Sequence, residues 1–227
     1  MGGPNFVVFD WDGTIVDSQF LIHSVMSMAL TAHGQPAPSL AAVRAVVGLE
    51  LSEAIGRLLP TNFTEDLAAV VGAYRENFAI ERAKPDCHEP LFDDVRTALT
   101  ALEGLGILCG IATGKSQRGV CAGLAHHELD RFFVSVQTAD DAPGKPHPGM
   151  LEQAMADVGA RCEDTIMIGD TTFDMKMAAN ADVRALGVAW GYHGTDELKA
   201  AGAVSIVEQF ADIPAVVNEM MGLDRAP

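Results

Sequence analysis

Cysteine is scarce and scattered in this chain. Cys87, Cys109, Cys121 and Cys162 never fall into a Cys-x-x-Cys spacing, which disfavours a disulfide framework. Four reduced thiols acting as small buried hydrophobes are the expectation, and that fits a cytoplasmic setting. Basic residues are also few, with 15 Lys and Arg against 31 Asp and Glu and a formal charge of −16. Such a field repels nucleic acid and anionic membranes, so neither is an expected partner. Any phosphate site must therefore be made positive locally, by a cation or by a few well-placed lysines. No apolar run reaches membrane-spanning length. The first residues, Met1 to Asn5, lack the basic region and apolar stretch of a secretory signal.

What is present is ample core-forming material: 48% of the 227 residues are hydrophobic. The length suits one large domain or a core with a small companion. The stretch Phe6-Val7-Val8-Phe9-Asp10-Trp11-Asp12-Gly13-Thr14 begins as an apolar run, as expected of a strand buried on both faces of a parallel sheet. It ends in two carboxylates beside a glycine that permits a tight turn. Taken alone, the pair reads first as an Asp-rich turn capping the following helix.

Helical periodicity follows from Gln19 to His33, broken by Gly34-Gln35-Pro36-Ala37-Pro38. Further helices are predicted from Ser39 to Val47, from Ser52 to Leu59 and from Thr64 to about Ala83, with Lys84-Pro85-Asp86 as the exit. The pattern then alternates. Strands are predicted at Ile107 to Ala112, Phe132 to Val136, Thr165 to Ile168, Ala185 to Ala189 and Val204 to Ile206. Helices fall at Asp93 to Glu103, Ser116 to Leu129, Pro148 to Val158, Phe173 to Asn180, Asp196 to Ala201 and Ile213 to Met221. This alternation predicts an α/β fold, a Rossmann-like doubly wound parallel sheet. Residues 1–16 and 85–227 would form its core, and 17–84 an inserted all-helical cap.

In such sheets the ligand crevice lies beyond the carboxyl ends of the strands. Four polar stretches fall there: Asp10-x-Asp12-Gly13, Thr113-Gly114-Lys115-Ser116, Gly144-Lys145-Pro146, and Gly169-Asp170-Thr171-Thr172-Phe173-Asp174. Each has an innocent reading, yet together they supply an acid pair, a hydroxyl, an ammonium and a second acid pair. In order and approximate spacing they resemble the four signatures of the haloacid dehalogenase superfamily of aspartyl-nucleophile phosphohydrolases. The helical insertion is similar to the small cap of its phosphoglycolate phosphatase-like branch.

The resemblance implies a phosphatase hydrolysing a small phosphorylated metabolite through an aspartyl-phosphate. Asp10 would be the nucleophile and Asp12 the general acid and base. Asp10, the backbone carbonyl of Asp12 and Asp170 would hold Mg2+. Thr113, Gly114 and Lys145 would bind the phosphoryl group, and Lys145 would stabilise its charge. Asp174 would support the water around the metal, or Lys145.

Residue by residue, alternatives stay open. Thr113 can equally cap the next helix, and Lys145 can be a solvated loop lysine. Gly114 replaces the Asn often found in that motif and offers no side chain, a gap that Lys115 or Arg118 would fill if either is not simply solvated. Glu50 and Ser52 are placed to reach substrate when the cap closes, Ser52 otherwise being a helix cap, and His23 is a comparable candidate. His126 and His127 read as surface residues, while His147 and His193 read as supporting ones. A phosphomutase using the same covalent intermediate, or a non-catalytic binding member, are the other functions the motifs allow. The cap contains no lysine between 17 and 83, against a Schiff-base phosphonatase, and Asp12 argues against a dehalogenase. A monomer and a homodimer both fit.

Overall fold

A computed structural model describes residues 3–64, 66–84, 89–140 and 142–223. Six parallel strands form one sheet in the order β3-β2-β1-β4-β5-β6: β1 Phe6–Phe9, β2 Leu108–Thr113, β3 Phe133–Thr138, β4 Thr165–Gly169, β5 Arg184–Val188 and β6 Ala203–Val207. This is the expected doubly wound α/β architecture. Its topological switch falls between β1 and β4, where ligand crevices open in sheets of this order.

The four residues of β1 are wholly buried and divide by parity between two apolar layers. Val7 and Phe9 pack with α5 (Val95–Gly104), α6 (Gln117–His126) and α10 (Ile213–Met221), through Leu99, Leu124 and Val217. Phe6 and Val8 pack with α7 (Gly149–Val158), α8 (Thr172–Asn180) and α9 (Thr195–Ala200), through Met150, Met175 and Leu198. Burial on both faces explains why β1 is a continuous apolar run with no polar alternation.

Between β1 and α5 come α1 (Gln19–Ala32), α2 (Leu40–Arg44), α3 (Leu51–Leu58) and α4 (Leu67–Arg82). They gather around an apolar cluster of their own that includes Met26, Leu30, Ile55, Val70 and Val71. The chain enters and leaves this bundle through adjacent segments. The Asp17 amide donates to the Pro90 carbonyl (2.8 Å), and the Phe92 amide to the Ile15 carbonyl (3.1 Å).

Several expected boundaries shift. The helix predicted to reach Val47 stops at Arg44, although Ser39 caps it by accepting from the Ala42 amide. The next helix is capped by Glu50, whose carboxylate accepts from the Ser52 and Glu53 amides, so Ser52 lies inside the helix and is not its cap. The helix predicted through Leu129 ends at His126, before Glu128 takes a left-handed conformation at φ 52°. Cys109 is buried as expected, its thiol pushed up to about 12 by desolvation and secondarily by Glu103. Cys121 is exposed and Cys162 half-buried, which corrects the uniform expectation of buried thiols; all three are free. Cys87 and the predicted exit at Pro85-Asp86 lie outside the described residues. Among the described residues no helix is long and apolar enough to cross a membrane.

Candidate active site

Because β2, β1 and β4 are neighbours, their carboxyl ends converge. Asp10 follows β1, Thr113 is the last residue of β2, and Asp170 follows β4. Sequence positions 103 and 57 residues apart thus meet at one edge. Lys145 arrives from the loop after β3 and is fully buried.

Asp10 is the centre of the cluster. One of its oxygens, Oδ1, accepts from the Trp11 amide at 2.7 Å and pairs with Lys145 Nζ at 2.8 Å. The other, Oδ2, is buried with no hydrogen-bond partner. Lys145 Nζ also lies 2.6 Å from Asp174 Oδ1. Asp174 Oδ2 in turn accepts from the Thr171 hydroxyl (2.6 Å) and amide (3.0 Å), completing a capping box at the start of α8. Asp170 accepts from the Thr14 hydroxyl and the Tyr192 amide, each at 2.9 Å. Carboxylate oxygens of Asp10, Asp170 and Asp174 all lie within 4.8 Å of one another.

The electrostatics follow from this crowding. Desolvation pushes the Asp10 carboxyl up to about 7, against the pull of Lys145 and with a further push from Asp174. Asp170 is raised well above the usual carboxylate range by desolvation and by Asp174 and Asp10. For Lys145, desolvation lowers the pKa, but Asp10 and Asp174 outweigh it and hold the ammonium protonated. One buried cation among three buried carboxylates leaves a deficit of positive charge that a hard divalent cation fits. Gly13, at φ 83°, makes the turn possible, since a Cβ there would stand 2.3 Å from Asp170 Oδ2.

Asp12 points elsewhere. It accepts from the Ser18 hydroxyl at 2.6 Å and pairs with Lys115 Nζ at 3.0 Å. Ser18 also lies 3.2 Å from the Tyr192 hydroxyl. Lys115 is not solvated: it bridges Asp12 to Glu89 (3.0 Å) and sits 4.8 Å from the centroid of the Phe78 ring on α4. Glu89 receives a second cation, Arg82 Nε at 3.3 Å.

Thr113 is buried, and its hydroxyl accepts from the Lys115 amide at 3.2 Å; the helix cap of α6 is Ser116 instead. Gly114 has a packing reason to lack a side chain. A Cβ there would meet the Leu49 carbonyl at 2.9 Å and the Gly48 carbonyl at 3.0 Å, so the 48–49 backbone rests directly on this loop. Gly114→Ala is expected to destabilise the protein by about 1–3 kcal/mol through overpacking. Amide exchange at 45–50 should accelerate while β1 and β4 stay protected; unchanged exchange there would contradict the contact.

Other candidates resolve simply. His193 Nδ1 accepts from the Thr172 amide and His147 Nδ1 from the Gly149 amide, both at 3.1 Å, so both brace local turns. His127 lies 2.9 Å from the Glu89 carbonyl, while His126 is exposed. His23 is occupied 3.0 Å from the Pro38 carbonyl. Glu89 and Tyr192 escape a sequence reading because Lys115 and Asp170, which they contact, lie more than twenty residues away; Ser18 escapes it because no local pattern marks its contact with Asp12. A cavity of about 910 Å³ opens over Asp10, Asp12 and Thr113, between the four-helix insertion and the sheet.

Fold and site together define an α/β enzyme with a carboxylate–lysine centre at the switch point of its sheet. The chain belongs to the haloacid dehalogenase-like hydrolase family, whose model matches residues 7–188. It is 36% identical over 223 residues to the probable phosphatase IndB of Dickeya dadantii, covering 97% of this chain and 96% of that one. It is 30% identical to the pyrophosphatase PpaX of Anoxybacillus flavithermus, over 94% and 97% of the two chains. Among solved structures, a predicted phosphatase from Clostridium acetobutylicum superposes with a TM-score of 0.85 at 26% identity, covering 96% of this chain and 100% of that one.

Proposed function

We propose that this protein is a Mg2+-dependent phosphatase that hydrolyses a small phosphate monoester through an aspartyl-phosphate on Asp10. The observation that carries the reading is the asymmetry of Asp10: Oδ1 is held by Lys145 and the Trp11 amide, while Oδ2 is buried without a partner. An oriented carboxylate with one free oxygen is what a nucleophile or a cation ligand requires. The names of the relatives, phosphatase and pyrophosphatase, agree with it.

Asp10, Asp170 and the Asp12 backbone carbonyl would hold Mg2+. Asp174, already engaged by Lys145 and Thr171, would act through them. When bound, Mg2+ supplies charge neutralisation between an anionic nucleophile and a phosphate dianion. Asp10 attacks phosphorus, and the P–O bond to the leaving group breaks. Asp12 gives its proton to that leaving oxygen, then takes one from the water that hydrolyses the acyl phosphate. Ser18 and Lys115 fix the direction of the Asp12 carboxylate. Lys145, Thr113 and the Gly114 amide stabilise the transferring group. Residues 17–84 serve as a cap over a core of 1–16 and 85–227, excluding water when it closes. The free thiols suit a cytoplasmic enzyme.

The test is phosphate release across a panel of metabolite esters, with Mg2+ and with chelator. Turnover confined to the Mg2+ arm is expected, and none on any ester would refute the proposal. Mg2+ at about a hundred times its Kd should also stabilise the protein by about 2.7 kcal/mol. Asp170→Asn should lose most of that stabilisation in thermal melts without substrate.

A further inference from the structure

The cavity over Asp10 is unusual for so acidic a chain. Among the described residues, five Lys and Arg side chains line it: Arg75, Arg82, Lys84, Lys115 and Arg118. Three are engaged by protein. Lys115 holds Asp12 and Glu89, Arg82 holds Glu89 and the Gly119 carbonyl, and Lys84 pairs with Glu81. Arg75 and Arg118 make no ion pair or hydrogen bond with the described residues.

The acids lining the same cavity do not explain these two guanidiniums. Glu50 is turned into the cap of α3, Asp140 accepts from the Gln117 amide, and Asp12 and Glu89 share Lys115. The Arg75 charge helps lower the Glu50 carboxyl, after the Ser52 and Glu53 hydrogen bonds that outweigh desolvation, but the two groups form no ion pair.

Helical spacing shows that both arginines face the cavity. Arg75 lies beside Tyr74, three residues before Phe78 and seven before Arg82, on the stripe of α4 that lines the space. Arg118 lies four residues before Ala122 on α6, again on the lining face. One arginine comes from the helical insertion and the other from the sheet domain. Leu49, Leu51, Tyr74 and Phe78 supply apolar wall to the same cavity.

Resting on the phosphatase reading, we propose that Arg75 and Arg118 form a second anion subsite. The preferred substrate is then a phosphate monoester whose leaving group carries a further phosphate or carboxylate on an organic body. Arginine suits this task, because its planar fork accepts either oxyanion in bidentate fashion. An anion seated there would also bridge insertion and core, linking recognition of the leaving group to closure over Asp10.

The test compares esters that differ only in the distal anion: phenyl phosphate, 4-carboxyphenyl phosphate and 1,4-phenylene bisphosphate, with fructose 1-phosphate and fructose 1,6-bisphosphate as an aliphatic pair. In the parent enzyme at least one doubly anionic ester should show kcat/KM about tenfold or more above its matched monoanion, from charge-assisted hydrogen bonds. Carboxylate and phosphate arms identify which anion is read. Arg75→Met and Arg118→Met should each lower that preference ratio about tenfold, mostly through KM. Arg161→Met, at an exposed pair with Glu163 and Asp164, should leave the ratio unchanged. A parent ratio near one in both series, or a ratio that survives both cavity variants, overturns the subsite while the phosphatase stands. No hydrolysis of any ester overturns the phosphatase reading, and the subsite with it.

Discussion

Asp10→Asn should eliminate turnover, with a fall in kcat of roughly 10⁴-fold or more, the scale on which loss of a covalent nucleophile is felt. The amide keeps the shape of the side chain and can keep the Trp11 contact at Oδ1. It removes the anionic Oδ2, which is buried with no hydrogen-bond partner. The variant should nevertheless fold. Burial raises the Asp10 carboxyl to about 7, so its charge is disfavoured in the native state, and neutralising it relieves repulsion from Asp170 and Asp174. Initial rates with Mg2+ and urea melts without it provide the two readouts. Acid-quenched parent enzyme should carry phosphate on the peptide containing Asp10. An Asn variant within tenfold of the parent rate would eliminate the covalent mechanism.

Lys145→Met should damage both stability and rate. The ammonium is fully buried, 2.8 Å from Asp10 and 2.6 Å from Asp174. Removing one partner from a buried ionic cluster leaves the others uncompensated, at a cost of about 3–5 kcal/mol. The urea midpoint should shift accordingly, and Mg2+ should recover part of the loss by replacing positive charge between the same carboxylates. On the proposed mechanism Lys145 also faces the charge that develops during phosphoryl transfer, so the rate should fall by roughly 10²–10³-fold at saturating Mg2+. A midpoint unchanged in chelator would mean that the ammonium does not hold the cluster together. Full activity in folded, Mg2+-saturated variant would remove Lys145 from the mechanism.

The contrast between these residues and the rest of the cavity separates what the chain states locally from what folding brings together. The apolar run into Asp10 and the repeated alternation of strand and helix are legible because burial on a parallel sheet imposes them over a few consecutive residues. The Ser39 cap is legible for the same reason, since its hydroxyl and the amide it satisfies lie within three positions. The order of the four polar stretches placed Asp10, Thr113, Lys145 and Asp170 at one crevice. Neighbouring positions for β2, β1 and β4 explain why that order sufficed.

Lys115 shows where local reading stops. Its sequence neighbours permit a solvated lysine, but the fold sets it between Asp12, Glu89 and the Phe78 ring, up to 103 residues away. Gly114 looked like a missing side chain until the 48–49 backbone filled its place. Glu50 looked ready for substrate, yet its carboxylate closes the first turn of α3. The sequence by itself therefore determined the sheet, the inserted helices and the polar edge at Asp10, all encoded by short-range periodicity and turn chemistry. The pairing of Asp12 with Lys115 and the placement of Arg75 and Arg118 on the walls of one cavity were decided by tertiary structure alone. Those arrangements bring together side chains from separate elements, and no spacing along the chain records them.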